Sequence, residues 1–404
     1  MKSKLISNLF FLLILIFWIG GATKFLDNNE FLLWSFIISF LFFISKKKRI
    51  NTGLIYIILY FGLINFLSWL FFHGNFSTET FIGYILRLVM AYFWISYFGW
   101  SFFEKYRKYV FIVALIGLPF YIIQIFDIDF FIKQFSNLNL SSEERVGVRY
   151  WNFIIYTAHQ AQYAGITRNS GFAIEPGQYG YLIGFATILE IINSRFNFNY
   201  RTIVLIIIGL STFSTSYFLT LALTLLFYQL NTLNKTKFLF FKVSIVLFLI
   251  FNLVTSNVVT EKVSFTLYEN EAIMQRASSH YTTGGILNRW GMFQIGLENF
   301  INYPLGYGIN TAGLQKDDLG DILTGPNTFA WLSNIWGIAF LIVLPIALIK
   351  FIKLLLPDIL SFSIIVFIAI WIVWLNTAVQ SKDYLFFIIV LTGLLKILPS
   401  KETI

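Results

Sequence analysis

The chain has 404 residues, of which 57% are hydrophobic, 20% aromatic and only 12% charged, with a net charge of +9 and a mean hydropathy of +0.74. Water-soluble domains carry about twice that share of charge, so a soluble globular protein is excluded. The absence of cysteine removes disulfides, thiolate chemistry and cysteine-bound metals. The positive charge gathers in short connections, which makes it a topology signal and argues against a nucleic-acid partner.

Apolar runs of about 20 residues, each able to cross roughly 30 Å of hydrocarbon, recur from end to end. They predict an all-α, polytopic bundle forming a single integral membrane domain over 1–404, with about twelve spans. In chain order these lie near 5–22, 30–45, 51–72, 80–102, 109–126, 178–193, 202–213, 214–230, 243–260, 326–349, 359–376 and 384–398. The first has basic residues ahead of an apolar core, as a signal peptide would. It lacks a convincing small-residue cleavage site and reads as a span. "STFSTSY" divides the pair at 202–230, and the first member is short for a full crossing.

Orientation follows from where Lys and Arg collect. One set of alternate connections, with the termini, holds 18 of the 29 basic residues, including Lys46–Arg49, Lys105, Arg107 and Lys108. That side is expected to be cytoplasmic, and both termini with it. Two connections on the opposite side are long, 127–177 and 261–325. They are not low-complexity and contain Trp, Tyr, Arg and Gly, which points to functional loops. Within the first, "VGVRYWNFIIYTAHQAQYAG" has an aromatic and apolar face that predicts a helix lying in the interface.

Where the first loop returns to the membrane the sequence reads "RNSGFAIEPGQYG", from Arg168 to Gly180. Its glycines permit positive φ or close backbone approach, and Pro176 suits a helix start. A helix N-terminus there offers N–H groups to an anion. Arg168 offers a planar fork for phosphate, and Glu175 a carboxylate able to take a hydroxyl proton. The alternative for this pair is structural, an ion pair bracing the loop. Arg87 lies about two turns inside its span, where an arginine is costly and usually faces a polar cavity; the alternative is snorkelling to the headgroups. In the second loop Arg276, His280 and Arg289 are the polar anchors. "RWGMFQIGLENFINYP" has helical periodicity, and "PLGYGIN" reads as a glycine turn after it. The three histidines are scattered, with no HExxH or DxD pattern, which argues against a bound metal, and no P-loop, dinucleotide fingerprint or GxSxG elbow occurs.

The order of these features resembles the Wzy-type polysaccharide polymerases and the related O-antigen ligases. The resemblance runs from about Arg87 onward. It rests on the Arg–Gly–Glu–Pro run opening a span, the Ser/Thr-rich break "LSTFSTSYFL", and the Arg–Trp run ending in an "NPLGxG"-like turn, here "NRWGMFQIGLENFINYPLGYGIN". It implies a GT-C-like glycosyltransferase of the bacterial inner membrane with two periplasmic loops and a periplasmic active site. Such an enzyme uses a glycan on undecaprenyl diphosphate as donor, with no metal or other cofactor. The family's two loop arginines match Arg168 and Arg289. Glu175 is then the first candidate base and His280 the second, while Arg87, Arg276, Trp290 and Asn327 contact substrate. Implied partners are the lipid-linked oligosaccharide, membrane lipid, a flippase and a chain-length regulator.

The family's ligases carry a His–Asn pair where this chain has Pro326–Asn327, which favours polymerase over ligase. A transporter or flippase also fits twelve spans with both termini inside. The long outer loops and the lack of internal repeats weigh against it.

Overall fold

A computed structural model describes residues 2–21, 29–72, 78–135, 141–145, 148–159, 162–163, 166–232, 289–306, 328–375 and 384–395. The expected span at 243–260 lies outside them, as do His280, Arg276 and Asn327. The described residues are mostly helical. The helices are α1 (Lys2–Leu13), continued by a π-helical stretch Ile14–Ile19, α2 (Asn29–Ser45), α3 (Thr52–Phe72), α4 (Thr78–Phe98), α5 (Ser101–Phe126), α6 (Ile128–Phe135) and α7 (Pro176–Asn193). They continue with α8 (Tyr200–Leu210), α9 (Thr215–Thr232), α10 (Arg289–Asn302), α11 (Thr328–Trp336), α12 (Ile338–Leu355), α13 (Ser361–Leu375) and α14 (Tyr384–Leu395).

Of these, α3, α4, α5 and α12 are each long and apolar enough to cross a membrane. The outward surfaces of α3 and of the shorter apolar helix α2 are what lipid requires. Tyr56, Leu59, Leu63 and Trp69 on α3, and Leu33, Trp34 and Leu41 on α2, are all half or more exposed. This is a helical membrane protein.

The described residues form two compact units, one within Met1–Ser35, Trp100–Ser256 and Leu360–Ile370, the other within Phe36–Gly99, Asn257–Ile359 and Trp371–Ile404. In the first, α7 is the central element. Every residue from Pro176 to Ile192 except Gln178 is buried, against α5, α8 and α9. The Tyr106 hydroxyl donates to the Leu182 carbonyl at 3.0 Å. A single ion pair occurs among the described residues. Arg107 Nη1 meets Glu190 Oε2 at 2.6 Å, with the carboxylate side chain 4% exposed. Asn199 completes this cluster: its Nδ2 donates to Glu190 Oε1 at 2.8 Å, while its Oδ1 caps α8 by accepting from Thr202 N. Arg107, expected in a connection with Lys105 and Lys108, is instead inside α5. That helix starts eight residues early because Phe102, Phe103, Tyr106 and Val110 bury a continuous face behind the basic residues.

The helix expected over 146–165 is a correction, because the described residues of this stretch form short strands and the turn joining two of them. β1 (Ser141–Arg145), β2 (Val148–Asn152) and β3 (Thr157–His159) form an antiparallel sheet in that order, with Trp151 opposite Ala158 and Tyr150 opposite His159. β4 (Gln162–Tyr163) and β5 (Ile166–Thr167) make a second, two-stranded pair. Burial explains the outcome. Trp151 with Phe153, and Tyr156 with Ala158, are spaced by two, and all four enter one core with Tyr121 and Phe131. The Tyr156 hydroxyl donates to Gln124 Oε1, and Gln124 Nε2 donates to the His159 carbonyl at 2.9 Å. These bonds tie the strands to α5. Burial there pushes the Tyr156 phenol well above its usual range.

In the second unit α14 packs against α4 and α12, and α10 against α11. Close approach by small residues makes these contacts. A Cβ on Gly393 would sit 2.1 Å from the Ala347 carbonyl, and one on Gly296 would sit 2.4 Å from the Ala330 Cβ. The span expected over 326–349 is two helices. Gly337, at φ +55°, separates α11 from α12, and the Ile338 N–H leaves the ladder to donate to the Pro304 carbonyl at 2.7 Å.

Candidate functional site

The stretch from Arg168 to Glu175 is built against three neighbours in the first unit. Thr157 N donates to the Gly171 carbonyl at 2.6 Å, fixing one side on β3. Ala173 bridges Gly21, at the end of the first helix. On the third side stands the break between α8 and α9. Arg168 Nε donates to the Thr212 carbonyl at 3.0 Å, Asn169 N to the Ser211 carbonyl at 3.0 Å, and Asn169 Nδ2 to Ser211 Oγ at 2.9 Å. Two motifs about forty residues apart in sequence are therefore one structural feature.

The loop turns sharply at Gly171, whose N–H is held by Asn169 Oδ1 at 2.9 Å. Its φ is +49°, and a Cβ there would lie 2.2 Å from the Tyr179 ring. Gly171→Ala is expected to destabilise the protein by more than the roughly 1–2 kcal/mol of the left-handed backbone alone, since the buried ring must also move. Adding Tyr179→Leu should restore part of the loss, because it removes the clash and leaves the backbone cost. Thermal unfolding of the purified variants reads this directly, and an unchanged midpoint for Gly171→Ala would contradict it.

Glu175 is the N-cap residue of α7, with extended backbone, and Pro176 follows at the first helical position as expected. The Glu175 side chain does not cap the helix. Among the described residues no ion pair joins it to Arg168, so the bracing alternative is not what holds this loop. Backbone bonds and Asn169 do that. The Ser170 hydroxyl, fully buried between them, has no hydrogen-bond partner among the described residues. A fixed guanidinium, an uncapped carboxylate and a helix N-terminus thus lie within eight residues of chain.

The other anticipated residues belong to the second unit. Arg87 is on α4, partly buried. Its guanidinium neighbours the buried Tyr384 hydroxyl on α14. Arg289 and Trp290 open α10, the helix expected from their periodicity. The start of the turn after it is present in the described residues, with Gly306 at φ +96° and its N–H donated to the Tyr303 carbonyl at 2.9 Å.

Sequence reasoning overlooked the Glu190 cluster. A lone carboxylate near the end of an apolar span was the available signal. The aromatic group of Phe61, Tyr84 and Trp336 was also unexpected; there Trp336 Nε1 donates to the Tyr84 hydroxyl at 3.1 Å. Its rings are mostly buried and join α3, α4 and α11 as core. Comparison with protein-family models, curated proteins and solved structures finds no match to this chain.

Proposed function

We propose that the protein is a polysaccharide polymerase of the bacterial inner membrane, a metal-independent glycosyltransferase of GT-C-like, twelve-span architecture with both termini in the cytoplasm. A hydroxyl at the non-reducing end of one lipid-linked repeat attacks the anomeric carbon of a growing chain on undecaprenyl diphosphate. The new glycosidic bond forms as the bond from that carbon to the diphosphate oxygen breaks, and undecaprenyl diphosphate leaves. Glu175 takes the hydroxyl proton, with His280 the second candidate. Arg168, Arg289 and Arg87 stabilise the charge that develops on the diphosphate. Arg276, Trp290 and Asn327 contact the glycans.

The observation that carries this reading is the Arg168–Glu175 segment. Its guanidinium is held through Nε on the Thr212 carbonyl, and its carboxylate is not neutralised by that arginine. A carboxylate outside such a pair is able to take a proton from a hydroxyl.

The test is a glycan ladder from a strain lacking the gene. Single repeats on the outer lipid, restored to long chains by the wild-type gene, support polymerisation. Long polymer stranded on undecaprenyl diphosphate would establish a ligase instead, and full-length attached polymer in the deletion strain would overturn both.

A further inference from the structure

The turn between α2 and α3, in the second unit, carries Lys46, Lys47, Lys48 and Arg49 in succession, and all four are exposed. Such a run is ordinarily loose, yet here it is pinned. Lys47 closes α2 with a left-handed φ of +51°, its N–H donating to the Ile44 carbonyl at 2.7 Å. Lys48 Nζ donates to the Ser96 carbonyl near the end of α4 at 2.5 Å, and Lys46 Nζ stands 5.2 Å from the Tyr97 ring centre. Asn51 N donates to the Tyr92 hydroxyl at 2.8 Å, and that hydroxyl donates to the Arg49 carbonyl at 3.4 Å. Asn51 also starts α3, its Oδ1 accepting from Gly53 N.

Four like charges are therefore held together, and no described carboxylate pairs with any of them. Burial, and then the Lys46 charge, hold the Lys48 ammonium below the usual lysine range. An arrangement of this kind is stabilised by an anion from outside the chain. What surrounds it identifies the source. Leu41 and Ile44 before the turn, and Ile50 and Tyr56 after it, are 48–70% exposed apolar side chains on or beside membrane helices. The cations thus stand at the edge of an apolar band, the level of lipid headgroups.

We propose that the Lys46–Arg49 turn is a binding site for acidic phospholipids, whose headgroup phosphates are held by Lys46, Lys47 and Arg49 while Lys48 keeps the turn on α4. The site is independent of the glycan chemistry proposed above.

Native mass spectrometry of the full-length protein, released from detergent with equal amounts of phosphatidylglycerol and phosphatidylcholine, tests it. The wild type is expected to retain phosphatidylglycerol preferentially. The variant Lys46→Gln/Lys47→Gln/Arg49→Gln should lose that preference by on the order of a hundredfold, at roughly fivefold for each of the three cations, while remaining folded in phosphatidylcholine. Equal retention of the two lipids by the wild type, or an undiminished preference in the variant, would overturn the proposal. Should the variant fail to fold, a salt series on the wild type decides instead: the preference must fall as ionic strength rises, and a salt-independent preference counts against the site. Inorganic phosphate alone should not displace the lipid. If it does so at millimolar concentration, a soluble anion is the ligand and the lipid assignment fails.

Discussion

A strain carrying Arg168→Lys in place of the wild-type gene is expected to make single repeats and few long chains, as if the gene were absent. Lysine keeps the charge but has no Nε with which to donate to the Thr212 carbonyl, and it cannot present a planar fork to a diphosphate. Arg168→Ala should lose at least as much. Removing one stabiliser of a developing charge costs on the order of 10²–10³-fold in rate. The stability effect is separable from this. Losing one hydrogen bond from a buried carbonyl costs about 1–3 kcal/mol, which lowers the melting midpoint but leaves protein to assay. Full-length glycan made by a well-expressed Arg168→Lys protein would remove Arg168 from the chemistry and leave it an anchor for the α8–α9 break.

The largest stability effect is expected at Glu190. Glu190→Ala leaves the Arg107 guanidinium, its side chain 18% exposed, without its only described anion, and frees Asn199 Nδ2 as well. Breaking a buried pair from one side costs about 3–5 kcal/mol, enough to deplete folded protein in the membrane. Replacing both partners, as Arg107→Met with Glu190→Leu, should recover most of that loss. Glu190→Gln should fall between, since an amide oxygen still accepts from Arg107. Melting midpoints in detergent across the four proteins check the order. A Glu190→Ala protein as stable as the wild type would show the pair to be incidental.

Much of this was legible in the sequence where a residue has only one local role. Pro176 marks the start of α7, the Ser211–Ser214 break separates α8 from α9, and the Arg289 periodicity fits α10. Legibility failed where two patterns share the same residues. The aromatic run around Trp151 satisfies a helical stripe and a period of two alike, and only the partners Phe131 and Tyr121 select the strand. Lys105, Arg107 and Lys108 read as a connection because charge is rare in spans, whereas Arg107 stays helical by finding Glu190. Gly337 looks like one glycine among many until Pro304 offers its carbonyl to Ile338. At the candidate site, Arg168 and Glu175 were visible as residue types. That Thr212 holds the arginine depends on tertiary contact and was not.

The burial of α7 bears on how this protein is made. That helix has the length to cross a bilayer but, with Glu190, Gln178 and three glycines, not the apolarity of α3, α4, α5 or α12. Presented alone to lipid during synthesis, it would expose a carboxylate where an ionisable group is costly. Its burial therefore depends on α5, already synthesised with Arg107 to receive Glu190, and is completed by α8 and α9 emerging after it. The segment that carries the candidate chemistry thus opens a helix whose burial among its neighbours is itself a step of folding.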